Sequence, residues 1–131
     1  MAYFEDLTPY TYFRKEANPR DLLRTVLNVG WLDADHAFPT ADADQLLINA
    51  LEYFHERQES QTRGWHNCPF CSMGHLKLYG KHFSTAEIRI RDAGLITYAA
   101  PAMILHYVRE HRYSPPPEFI ATALVEAKVM S

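Results

Sequence analysis

Two cysteines, Cys68 and Cys71, stand two residues apart in a chain that has no others, and this spacing constrains the fold more than any other feature. Cys68-Pro69-Phe70-Cys71 is a turn short enough to aim both sulfurs at one ion, and Gly74 relaxes the chain just beyond it. Zn²⁺ takes four tetrahedral ligands from thiolate and imidazole, so the pair supplies half of such a shell and other residues must close it. In a reducing compartment, a single Cys-x-x-Cys pair in a chain of this size points to metal or redox chemistry before a structural disulfide.

Three histidines compete to complete the shell. His66 lies two residues before Cys68, so His-x-Cys-x-x-Cys offers three local ligands, while His106 and His111 form a His-x4-His pair within zinc-finger spacing. On a helix advancing about 100° per residue, positions five apart differ by about 140°. Both imidazoles then reach one ion only if the helix distorts or ends between them. On the helical wheel His111 falls beside Ile104, Tyr107 and Val108, whereas His106 points away from that stripe. His75 and His82, in or beside expected strands, read as solvated.

The 131 residues, 47% hydrophobic and 22% charged, suit one globular domain over residues 1–131 with a single core. A net charge of −3, with no Lys/Arg cluster, argues against nucleic acid or an anionic membrane as the main partner and leaves a protein partner open. No run of 18 apolar residues occurs, and the first residues carry Glu5 and Asp6 where a secretion leader is basic and then apolar. The expected compartment is the cytoplasm.

The expected fold class is α+β, a short antiparallel meander packed against about three helices and a zinc knuckle. Ala43, Leu46, Leu47, Ala50, Leu51 and Phe54 recur with helical period, which predicts a helix over 41–57 with Thr40 as cap and Asp42 and Asp44 in its first turn. Residues 26–32 read as an extended run, and Glu56 to Gly64 as an exposed linker. Residues 76–78, 86–91 and 95–99 read as three strands, with the polar residues of the second, Glu87 among them, turned to solvent. Pro101 fits the first position of a helix ending near His111 or Arg112. After Pro115-Pro116-Pro117, a last helix buries Phe119, Ile120, Ala123, Leu124 and Ala127.

The order of His66-x-Cys68-x-x-Cys71, Ala86-Glu87-Ile88-Arg89-Ile90, Tyr98-Ala99-Ala100-Pro101, His106-Tyr107-Val108-x-x-His111-x-Tyr113 and Pro116-Pro117-Glu118-Phe119-Ile120 resembles the motif string of an uncharacterised family of small bacterial proteins. Glu5-Asp6-Leu7-Thr8-Pro9-Tyr10 and Asn28-Val29-Gly30-Trp31-Leu32-Asp33 resemble it too. The resemblance implies no activity. It implies only that His66, Cys68, Cys71, His106 and His111 occupy motif positions.

These residues are read as a structural Zn²⁺ site in a binding or regulatory module, with no catalytic residue assigned. The alternative is a thiol oxidoreductase using Cys68-Pro69-Phe70-Cys71, with Ala100-Pro101 imitating the proline contact of glutaredoxin-like proteins. That chemistry needs a helix N-terminus at the first Cys, and Ser72-Met73-Gly74 is a poor helix start. A zinc deaminase would need His-x-Glu upstream and Pro before the first Cys; here His55 and Glu56 are adjacent and Asn67 precedes Cys68. Glu87 and Glu118 remain candidate acids. Asp33, Asp35 and His36 read as a solvated acidic loop, and the N-terminal aromatics read as core.

Overall fold

The computed structural model describes residues 3–10, 19–42, 44–58, 68–71 and 87–130, with the backbone alone at 65–66 and 83–84. It is an α+β fold. Helix α1, Gln45–His55, buries Leu47, Ile48, Ala50, Leu51 and Phe54, the face its period required. Leu46, expected on that face, is 66% exposed and Ile48 is buried instead. The cap is also displaced. Asp44 accepts a hydrogen bond from the Leu46 amide at 3.0 Å, while Thr40 pairs with Tyr113 in an isolated bridge. Asp42, expected in the first turn, precedes the helix and meets Arg112 at 2.9 Å.

Strands β1 (Thr25–Asn28), β4 (Glu87–Arg91) and β5 (Ile96–Pro101) form one sheet in the order β1-β5-β4, and β2 (Trp65–His66) pairs antiparallel with β3 (Phe83–Ser84). β4 and β5 are antiparallel, with Glu87 opposite Pro101, as a meander requires. β1, however, joins the sheet parallel to β5, with Thr25 opposite Ile96, so the sheet is mixed. The expected strand at 76–78 lies outside the described residues. The extended run of 26–32 stops at Asn28 because Gly30 turns the chain at φ +80°, where a Cβ would stand 2.8 Å from Ile104 Cδ1.

Pro101 does not start a helix. It ends β5, and helix α2, Ile104–His111, follows after the buried residues Ala102 and Met103. Pro lacks an N–H to donate, which suits the end of a strand as well as the first turn of a helix. Helix α3, Pro117–Met130, starts within the proline run and buries Phe119 and Ala123 fully, with Ile120, Leu124 and Ala127 packed more loosely on the core. α1 packs on both α2 and α3, and the Tyr53 hydroxyl donates to the Met130 carbonyl at 3.0 Å.

β4 has no polar face turned to solvent. Ile88 and Ile90 enter the hydrophobic core, and Glu87 and Arg89 on the other side are also buried. Cover comes from far away in sequence. Asp21, in a 3-10 turn at Pro19–Asp21, accepts from Arg89 at 2.6 Å, Arg91 at 2.9 Å and Thr97 at 2.8 Å. Glu87 accepts from Arg89 at 3.2 Å and from the Tyr10 hydroxyl, and the Arg89 guanidinium lies 4.9 Å over the Tyr10 ring. Arg24 ties the β4–β5 turn by donating to Asp92 and to the carbonyls of Gly94 and Ile96.

Candidate metal centre

Cys68 and Cys71 lie in a turn beyond β2, closed by the Cys71 amide donating to the Cys68 carbonyl at 3.3 Å. Within it the Phe70 amide donates to Cys68 Sγ at 3.4 Å, the contact that spreads charge away from a thiolate. The Phe70 ring wedges the turn in place, 5.2 Å from Phe38, 5.8 Å from Tyr107 and 5.4 Å from His111. Beneath it the Tyr107 hydroxyl is buried with no hydrogen-bond partner among the described residues, and burial together with the cysteines raises its pKa.

α2 brings the histidines. His106 lies in its first turn and His111 is its last residue, followed by Arg112 in the left-handed conformation at φ 58°. The Tyr113 amide returns to the Tyr107 carbonyl at 3.1 Å and completes the stop. His111 thus sits where the helix ends, and its imidazole meets that of His106 with Nε2 to Nε2 at 3.2 Å. The 140° separation on the wheel is bridged by side-chain reach, with both residues still inside the helix.

The four ligand atoms of Cys68, Cys71, His106 and His111 all lie within 4.8 Å of one another. His111 Nε2 stands 3.3 Å from Cys68 Sγ and 3.1 Å from Cys71 Sγ, and His106 Nε2 stands 3.1 Å from Cys71 Sγ. A ring nitrogen holds one proton or one lone pair, so His111 Nε2 cannot hydrogen-bond to three neighbours at once. A central cation would satisfy all of them. With Zn–S about 2.3 Å and Zn–N about 2.0–2.1 Å, a tetrahedral shell separates sulfur from nitrogen by roughly 3.5 Å and nitrogen from nitrogen by roughly 3.3 Å. The observed edges are close to those lengths.

Cys68 is 3% and His106 1% exposed, while Cys71 and His111 are half-buried. Burial pushes the Cys68 thiol up to about 12, partly opposed by the Phe70 amide and reinforced by Cys71. Desolvation is therefore the force that an ion must overcome to hold a thiolate here.

The structure gathers four of the five residues picked as ligands. The fifth, His66, has its backbone in β2, and its side chain lies outside the described residues, as do His75 and His82. Of the candidate acids, Glu118 opens α3 and Glu87 belongs to the buried ionic network. His36 meets Asp33 at 2.6 Å and stacks on Tyr3 at 3.8 Å, as an exposed acidic loop would. Phe4 packs edge-on against buried Trp31 but is itself half-buried, as are Tyr3 and Tyr10, so these aromatics edge the core where they were expected within it; Tyr12 and Phe13 lie outside the described residues.

Sequence reasoning passed over Asp21 and Tyr10, because nothing local marks either as the cover of a strand some 70 residues later.

A family model described as Domain of unknown function (DUF7919) matches residues 2–124. The chain belongs to that family. In this DUF7919 chain the matched span includes both cysteines and both histidines of the cluster. No curated protein and no solved structure matches the chain. Among its described residues, no helix is long and apolar enough to cross a membrane.

Proposed function

We propose that Cys68, Cys71, His106 and His111 hold one structural Zn²⁺, and that the protein is a small zinc-stapled binding or regulatory module. The observation that carries this reading is the position of His111 Nε2, within 3.3 Å of two sulfurs and a second ring nitrogen. Four protein ligands fill a tetrahedral shell and leave no position for a reacting water, which is how structural zinc sites differ from catalytic ones. The donor set favours zinc over the oxygen-seeking Mg²⁺ and Ca²⁺. The ion joins the Cys68–Cys71 turn to the end of α2, and its binding energy becomes folding energy.

Thiol oxidoreduction is the weaker reading. It needs a helix starting at the first cysteine, and Cys68 opens a turn; it needs a proline against the pair, and Pro101 pairs with Glu87 at the end of β5, with no cis peptide bond among the described residues. Metal analysis of purified protein tests the proposal. About one zinc per chain should survive dialysis, and Co²⁺ in its place should give the visible absorption of a tetrahedral thiolate site. Cys71→Ser and His111→Ala should each lower occupancy. Full retention of metal in both variants, or free thiols titrating in freshly purified wild type, refutes it.

A further inference from the structure

The cluster joins residues that are far apart in the chain through two sulfurs that are near neighbours. Cys68 Sγ meets His111 Nε2 across 43 positions, and Cys71 Sγ meets it across 40. Both sulfurs come from one turn, closed by the Cys71 amide on the Cys68 carbonyl. A turn of that kind holds its end Cα atoms within about 7 Å, and a disulfide needs about 4.4–6.8 Å, so Cys68 and Cys71 can be bonded to each other with the turn in place. The chain has no third cysteine, so this is the single disulfide open to one molecule. Their exposure is unequal. Cys68 is 3% exposed and Cys71 is half-buried, so a small solute reaches Cys71 first.

We infer that the site is a peroxide-sensitive switch, in which hydrogen peroxide converts Cys68 and Cys71 to a disulfide and releases the ion; this rests on the zinc reading of the cluster. The Cys71 thiolate attacks one peroxide oxygen, the O–O bond breaks, and the departing hydroxide takes a proton to become water, which leaves a sulfenic acid on Cys71. The Cys68 thiolate then attacks the Cys71 sulfur, the S–O bond breaks, and a second hydroxide leaves and becomes water with another proton. Each sulfur gives up one electron, and the peroxide takes up both.

The two thiolates are the only anionic ligands of the cluster, so their oxidation leaves His106 and His111 to hold Zn²⁺ alone. The exchange also moves the cross-link. The ion ties the turn to the end of α2 across 40 positions, whereas the disulfide closes only the turn itself, and so short a loop takes much less entropy from the unfolded chain. The turn is then left on α2 by the packing of the Phe70 ring, 5.4 Å from His111 and 5.8 Å from Tyr107. Oxidation therefore loosens the segment that the metal fastened.

Peroxide titration of the zinc-loaded full chain tests this, with zinc measured before and after. Hydrogen peroxide at about tenfold molar excess should release about one zinc for each disulfide formed, read with a chromophoric chelator and as the loss of two hydrogens from the chain mass. Dithiothreitol with added zinc should restore both. The melting temperature should fall on oxidation and return on reduction, and dimedone present during a short exposure should label Cys71 before Cys68. A protein purified without zinc removes the site and the switch together. Zinc held with both thiols intact, a disulfide formed with zinc retained, sulfinic acid in place of the disulfide, or a label on Cys68 first overturns the switch and leaves the zinc site standing.

Discussion

Replacing Arg89 by methionine tests the buried ionic network, because the new side chain has a similar length and no charge. Arg89 is 1% exposed at its side chain and faces two carboxylates, Asp21 and Glu87, whose side chains are both 0% exposed. Asp21 keeps Arg91 at 2.9 Å and Thr97 at 2.8 Å, and Glu87 keeps the Tyr10 hydroxyl. The loss is therefore that of one partner from a buried charged cluster, about 3–5 kcal/mol. Against a total of about 5–15 kcal/mol for a domain of this kind, it is a large fraction.

Urea denaturation followed by circular dichroism gives the number, and its pH dependence gives the sign. In wild type, burial alone raises the Asp21 carboxyl, but hydrogen bonds from Arg91, Thr97 and Arg89 outweigh it and hold the group below its ordinary range. Its stabilisation is present above the unfolded value of about 3.9 and is lost only as pH falls through the lower folded value. Wild-type stability should then hold between pH 7 and 5 as far as this group is concerned. Arg89→Met should shift that acid loss. With the guanidinium gone, Asp21 loses one of the three donors that hold its carboxyl down, so the variant should lose stability at a higher pH than wild type on acidification. A cost under about 1 kcal/mol at pH 7, or an acid midpoint no higher than that of wild type, refutes the network as a determinant of the fold.

Gly30→Ala should cost about 2–3 kcal/mol, read as a lowered urea midpoint, since it adds left-handed strain to a Cβ 2.8 Å from Ile104 Cδ1. Asp44→Ala removes the α1 cap and should cost about 1 kcal/mol by the same measurement, whereas Thr40→Ala should leave the α1 cap intact. On the proposed metal site of Cys68, Cys71, His106 and His111, a chelator should lower the melting temperature of the purified protein by about 10 °C or more, and an unchanged melting curve would contradict that site. Phe119→Ala, at a fully buried ring that meets Tyr98 edge-on, should cost about 3–5 kcal/mol.

What the chain disclosed on inspection was local. The helical period of residues 43–54 located α1, and the two-residue gap between Cys68 and Cys71 singled out the cluster, because both signals are complete within a turn or two. The cap of α1 was misread because Thr40, Asp42 and Asp44 all qualify chemically, and only the pairing of Thr40 with Tyr113 takes the first of them away. Alternation along β4 was read as one dry and one wet face. A strand cannot show what will cover it, and here Asp21 and Tyr10 arrive from the other end of the chain. The parallel partner of β5 was hidden for the same reason: pairing between Thr25 and Ile96 leaves no mark in either neighbourhood. Between His106 and His111 the wheel argument failed because it placed Cα positions, while side-chain reach at a helix end decides which nitrogens meet.

The long-range closure of the sheet has a consequence for synthesis on the ribosome. Arg24 waits for residues 68 positions later, Tyr10 for one 77 later, and Asp6 for the Tyr113 hydroxyl 107 later. β1 meets residues 7–10 along one edge as it emerges, but the edge that pairs with β5 stays unmatched until residues 96–99 have been made. Contacts of such long sequence separation slow folding, and they leave the sheet open to misassembly until its last strand has been made.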